Sequence, residues 1–175
     1  MDPWHDVSRG SNAPTIIQAI IEAPKNSSLK YEIDKETGML RLDRALYSAV
    51  HYPGNYGFIP QTYWEDEDPL DVVVLHEQPI HPLTIVEVRP IGVMRMIDGG
   101  ESDDKILAVL KDDPRYEQTQ DVEDIASHTL KELKNFFENY KQLEGKTVQI
   151  TKIEGKQAAQ ETIQQASKQY DEKFS

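Results

Sequence analysis

The chain has 175 residues, with 31 acidic and 19 basic side chains, a net charge of −12 and no cysteine. That length predicts one domain, residues 1–175, able to bury about two thirds of its unfolded surface. The missing thiols exclude disulfides and thiolate chemistry, the acid excess argues against a nucleic-acid surface, and no apolar run approaches the ~20 residues of a membrane span.

Residues 1–14 contain Pro3, Gly10 and Pro14 and read as an irregular arm. The arm has neither the basic start nor the apolar stretch of a secretory signal, so a cytoplasmic protein is expected. Residues 15–22 are apolar and β-rich, and 24–28 make a turn. Residues 29–34 alternate, with Leu29, Tyr31 and Ile33 against Lys30, Glu32 and Asp34, the period of a strand with one wet face. Thr37-Gly38 turns the chain into a hairpin partner at 39–42. Residues 46–63, rich in Tyr, Pro and Gly, predict a long structured loop with a short strand around Phe58. Further strands are expected at 72–76 and at 83–97, the second interrupted at Pro90. Gly99-Gly100 then reverses the chain into a return strand at 105–110. The period changes after that. Ile125, Leu130, Leu133, Phe137, Tyr140 and Leu143 recur at mostly helical spacing, and Gly145 is a plausible cap. Residues 147–153 return as a strand. A closing helix carries Ala159, Ile163, Ala166, Tyr170 and Phe174. The fold class is therefore α+β and predominantly β: a small β-barrel with one long packed helix and a C-terminal helix.

The run Glu65-Asp66-Glu67-Asp68-Pro69-Leu70-Asp71-Val72-Val73-Val74 carries the most chemistry. Pro69 biases Asp68 away from helix, so the acids are expected on extended chain. Asp66 and Asp68 then share one side and Glu67 the other. Asp71 stands at the mouth of the apolar run. Carboxylates gathered this way repel one another unless a cation joins them, and hard oxygen ligands suit magnesium or manganese. A second acidic group, Asp98, Glu101, Asp103 and Asp104, flanks the glycine turn, which lets Asp98 and Asp103 face each other. Lys30, Arg44, Lys105 and Lys141 could supply cations to phosphate oxygens. Gly145-Lys146-Thr147 mimics the end of a P-loop, but Tyr140 stands where its first glycine belongs. The histidines lack metal-site spacing and read as packing or surface residues.

In order along the chain, these segments resemble the family I soluble inorganic pyrophosphatases of prokaryote type. The resemblance runs through Ile21-Glu22-Ala23-Pro24, Lys30-Tyr31-Glu32-Ile33-Asp34-Lys35, Leu42-Asp43-Arg44 and the loop Tyr52 to Pro60. It continues through Asp66-Glu67-Asp68-Pro69-Leu70-Asp71, Arg89-Pro90-Ile91-Gly92-Val93, the stretch from Asp98 to Lys105, and Phe136-Phe137-Glu138-Asn139-Tyr140-Lys141. The signature Asp-x-Asp-Pro-apolar-Asp is specific. Glu67 departs from it, since a small or short polar residue usually stands there.

The resemblance implies a magnesium-dependent hydrolase, with manganese or zinc as substitutes, that splits pyrophosphate into two phosphates without a phosphoenzyme. It assigns Asp66, Asp71 and Asp103 to the activating metals, with Asp71 shared between two. Asp98 and Asp103, helped by Glu22 through water, would hold the metals that arrive with substrate. Lys30, Arg44, Tyr56, Tyr140 and Lys141 would grip the phosphoryl groups, and Lys105 would neutralise charge nearby. Asp68 would be the general base. A closed five-stranded barrel of the oligonucleotide-binding (OB) shape and a homohexamer are implied, with no nucleic-acid or membrane partner. Rival readings are a catalytically dead metal-binding barrel and a phosphohydrolase acting on other phosphoanhydrides.

Overall fold

The computed structural model describes residues 1–175. Its strands are β1 (Ile17–Ala23), β2 (Leu29–Ile33), β3 (Leu40–Ala45), β4 (Asn55–Phe58), β5 (Asp71–Val74), β6 (Ile85–Asp98), β7 (Glu101–Ser102), β8 (Lys105–Leu110) and β9 (Val148–Gly155). Its helices are α1 (Pro3–Asp6), α2 (Ser127–Asn139) and α3 (Lys156–Phe174). Strands β1, β4, β5, β8 and β6 pair in that order, and β6 pairs back onto β1. Five strands thus close a ring, which removes the free edges of an open sheet. This is the predominantly β, OB-like barrel that the sequence predicts. Strand β9 extends the sheet along β6, while β2 and β3 form a separate two-stranded hairpin. No helix is long and apolar enough to cross a membrane.

Alternation along the strands sorts the core onto two faces. Ile17, Ala19, Ile21, Val72, Val74, Ile106 and Ala108 pack together with Ala159, Ile163 and Ala166 of α3. The opposite set, Tyr56, Val73, Met94 and Leu107, packs with Leu133, Phe136 and Phe137 of α2. Asp71 and Lys105 share the parity of Val73 and Leu107, so both fall on the α2 side of the barrel wall. A β-carbon on Gly57 would lie 1.9 Å from the Ile20 carbonyl oxygen, so only glycine lets β4 press against β1 next to Tyr56.

Three expectations are corrected. Strand β6 is not interrupted at Pro90. Its pairing with β8 shifts register between Pro90 and Gly92, and that irregularity absorbs the missing N–H. The arm carries α1, where Asp2 accepts a hydrogen bond from the Trp4 backbone and Pro3 occupies the first turn. Leu143 is exposed rather than part of the helical stripe, because α2 ends at Asn139 and Leu143 sits in a single 3-10 turn closed by Gly145 at φ +75°.

Candidate active site

Strands β5 and β8 run parallel, with Asp71 paired to Lys105, so the first residues of both open at one end of the barrel. The Lys105 ammonium is 1% exposed and donates to Asp71 Oδ2 (2.5 Å), Asp103 Oδ1 (2.7 Å) and the Tyr56 hydroxyl (3.1 Å). Tyr56 reaches it from β4, which pairs with β5. Asp103 precedes Lys105 by two residues and points the same way. Asp104 points oppositely: it is buried, and accepts from the Met96 backbone and Arg95.

Asp66 completes the acid group by a route other than extended chain. The Trp64 N–H donates to the Asp68 carbonyl and the Glu67 N–H to the Trp64 carbonyl, so residues 64–68 form a tight turn. Glu67 sits at φ +67°, in the left-handed region. Pro69 constrains only the residue before it, which leaves this turn free to fold. The turn, rather than strand alternation, carries Glu67 away from its neighbours. It also separates Asp66, half-buried over the barrel mouth, from Asp68, which is 53% exposed. One carboxylate oxygen from each of Asp66, Asp71 and Asp103 lies within 4.8 Å of the others. Asp68 is outside this group.

These acids line a cavity of about 830 Å³, whose wall also includes Glu22, Lys30, Tyr56, Asp68, Asp98, Tyr140 and Lys141. Lys30 binds Asp43 at 3.0 Å, and Lys141 is hydrogen-bonded to Asp98. Glu22 accepts from the Ile33 backbone at 2.8 Å, which ties the hairpin to the barrel. Tyr140 stands one residue beyond α2, packed against Phe136 and Phe137. Two of the expected residues are not part of the cavity wall. Lys105 lies beneath it. Arg44 is drawn aside, with Nη1 2.6 Å from Asp43 and Nε 2.9 Å from Glu144, and its Nη2 is buried without a partner.

The carboxyls hold more negative charge than one ammonium offsets. Burial, then the charges of Asp71 and Asp103, pushes Asp66 up to about 8. Burial raises Asp71 to about 6 against the opposing pull of Lys105. Asp103 is also buried, yet the charge and hydrogen bond of Lys105, with hydrogen bonds from the other two acids, bring it below its ordinary value. Glu22 is pushed up to about 8, chiefly by burial. An all-oxygen cluster that retains protons for want of positive charge fits a hard divalent cation.

The same fold recurs in known proteins. The family model described as inorganic pyrophosphatase matches residues 19–171. The chain belongs to the inorganic pyrophosphatase family. It is 45% identical to soluble inorganic pyrophosphatase 2 of Chlamydomonas reinhardtii, over 98% of this chain and 90% of that protein. It is 48% identical to soluble inorganic pyrophosphatase 3 of Arabidopsis thaliana, over 97% and 79%. The crystal structure of the inorganic pyrophosphatase from Thermus thermophilus superposes with a TM-score of 0.93 at 38% identity, covering 97% of this chain and 99% of that one. That from Helicobacter pylori gives 0.90 at 38% identity, over 95% and 99%. As a member of this family the chain is an enzyme, an inorganic diphosphatase.

Sequence reasoning missed several residues of this cavity and of the contacts around it. Lys35 reaches Asp68, Asp43 and Glu144 hold Arg44, and Asp2 and Trp4 of the arm form part of the cavity wall. Lys35 had a signal, since it sits in the hairpin turn just past the strand that carries Lys30. Trp4 had none, because its partners are distant in sequence. Tyr52 is buried against Tyr56 and Phe136.

Proposed function

We propose that this chain, acting as one catalytic domain, hydrolyses inorganic pyrophosphate to two orthophosphates by direct in-line attack of water, with magnesium as its physiological metal. One observation carries this reading: a cluster of three carboxylates and a set of phosphate-type cations, Lys30 and Lys141, line one cavity in a pyrophosphatase fold. Asp66, Asp71 and Asp103 hold the activating ions, while Asp98, Asp103 and Glu22 serve those that accompany substrate. Bound divalent ions supply positive charge to phosphate oxygens and acidify coordinated water.

The remaining chemistry belongs to the chain. Asp68 is exposed to the cavity and accepts the proton of the attacking water. Lys30, Lys141 and the hydroxyls of Tyr56 and Tyr140 hold the two phosphoryl groups in line. Arg44 joins them by leaving Glu144, and its unpartnered Nη2 supplies a donor. Burial raises both tyrosines far above their ordinary range, so they remain hydroxyl donors at neutral pH. Lys105 stays charged and offsets the acids from below. Positioning and charge carry such a reaction, and no covalent nucleophile is required.

The decisive experiment is phosphate release from pyrophosphate with magnesium, beside a chelator control and Asp68→Asn. Fast release that collapses in both controls supports the reading. Titration of magnesium against Asp68→Asn then separates a lost base from a lost metal. Folded protein that releases no phosphate with magnesium, manganese or zinc refutes it. We also propose a cytoplasmic homohexamer, supported by the family resemblance and the absence of cysteine. Light scattering and cell fractionation test these two points.

A further inference from the structure

The cation that pairs with Asp68 comes from outside the barrel. Lys105 holds Asp71 and Asp103 from inside the barrel, and Lys141 holds Asp98. The Asp68 carboxylate has one side-chain partner, Lys35, at 2.5 Å. Lys35 belongs to the turn of the β2–β3 hairpin, so this contact joins the acidic turn to the element that carries Lys30 and Arg44. Lys35 and Asp68 are both more than half exposed, and such a pair is weak alone because a lysine stem gives up rotamer freedom to make it.

A second contact narrows that freedom. The Lys35 ammonium lies 4.9 Å from the centre of the Trp4 ring, a cation–π placement. Trp4 is itself buried and anchored by several contacts. Its indole N–H donates to the Thr62 carbonyl at 2.8 Å, and its carbonyl accepts from the Gln61 backbone at 2.8 Å. Its ring stacks on Tyr63 and meets Phe174 of α3 edge-on. Residues 61–63 lead directly into the acidic turn, so Trp4 is anchored on the segment that presents Asp68 while it holds the lysine that pairs with Asp68.

We propose that Lys35 is a positioning residue for Asp68, and that Trp4 aims Lys35, so that α1 forms part of the working active site. The proposal rests on reading Asp68 as the base. Its structural half is read by proton NMR in chelator, without turnover. The Lys35 ε-methylene protons lie in the ring current of Trp4 and resonate upfield, and Lys35→Met assigns the signal. Trp4→Leu returns it to the ordinary lysine position, and Asp68→Asn weakens the displacement. The functional half is kinetic. Lys35→Met and Trp4→Leu each lower kcat roughly fivefold with KM unchanged, the scale expected when one weak positioning contact is lost. Lys35→Arg recovers most of the loss, Trp4→Phe loses less than Trp4→Leu, and the double variant is no slower than the slower single. Urea midpoints identify any variant whose loss comes from unfolding.

No upfield signal, full kcat in Lys35→Met, a rise in KM in place of a fall in kcat, or multiplicative losses in the double variant overturns the proposal. An Asp68→Asn that keeps full kcat sinks the base reading and this inference together. An inactive Asp68→Asn beside a fully active Lys35→Met sinks this inference alone.

Discussion

Replacing Lys105 by methionine tests the electrostatic design of the site most directly. Methionine keeps an unbranched, flexible stem one heavy atom shorter than that of lysine and removes the charge and the donors. Lys105 is fully buried and satisfies Asp71, Asp103 and Tyr56 at once. Breaking a buried ion pair by deleting one partner costs about 3–5 kcal/mol, because the other charge stays buried and unpaired. For a domain of this size that lowers the melting temperature by roughly 6–20 °C. The sign with pH follows from the shift. The folded pKa of Lys105 lies well above its ordinary value, so its contribution is complete below ~10.4 and is lost only as pH rises through the folded value. The wild-type protein therefore shows the whole contribution at pH 8. The variant's deficit shrinks towards pH 5, where the stranded carboxyls take up protons. Urea unfolding in chelator at pH 8 and pH 5 measures both effects, and added magnesium restores more stability to the variant than to the wild type. Equal midpoints at pH 8 would refute the reasoning. A deficit identical at both pH values would mean that Lys105 acts by packing.

Three further outcomes follow from the same geometry. Glu67→Asn stabilises the protein by about 0.5–1 kcal/mol in urea unfolding, because a left-handed backbone costs most residues ~1–2 kcal/mol and asparagine tolerates it better. The folded pKa of Glu22, about 8, lies above its ordinary 4.5, so its stabilising contribution is complete below pH 4.5 and fades as pH rises to 8. At ~1.4 kcal/mol per pH unit, Glu22→Gln in chelator loses a measurable part of that slope. On the proposed reading magnesium displaces protons held by Asp66 and Asp71, so its affinity, measured by calorimetry without substrate, is expected to rise with pH until about 8. A flat affinity between pH 6 and pH 8 would contradict the shared protons.

Many of the elements were legible because their residues obey a simple period or meet at a turn signal. Residues 29–34 alternate, Gly99-Gly100 reverses the chain, and the stripe Leu133, Phe137, Tyr140 turns at helical spacing. The acid cluster was legible because Asp71 and Lys105 open strands, where position fixes direction. The turn at 64–68 was not, because Pro69 informs on Asp68 alone while backbone hydrogen bonds to Trp64 decide the conformation of the residues between. Pro90 misled for a related reason: a missing donor ends a strand only when no bulge absorbs it, and the register shift between Pro90 and Gly92 does so here. The retraction of Arg44 depends on Glu144, a hundred residues away, and no local pattern encodes such a pairing.

The cavity wall also implies an order of dependence between its two ligands. Eleven carboxyl side chains line it against four cations, Lys30, Lys35, Arg41 and Lys141. Each of those cations already pairs with a carboxylate: Asp43, Asp68, Asp34 and Asp98 respectively. An entering pyrophosphate must compete with those carboxylates for the same donors, in a field that repels it. Positive charge added at Asp66, Asp71 and Asp103 reverses the field and leaves the donors free to exchange partners. Pyrophosphate is therefore expected to bind at least tenfold more weakly in chelator than with calcium, whose larger and looser coordination shell is expected to support binding with little turnover. Equilibrium dialysis with labelled pyrophosphate measures both affinities. Equal affinities would show that Lys30 and Lys141 bind the anion unaided, and that the acids serve only the chemical step.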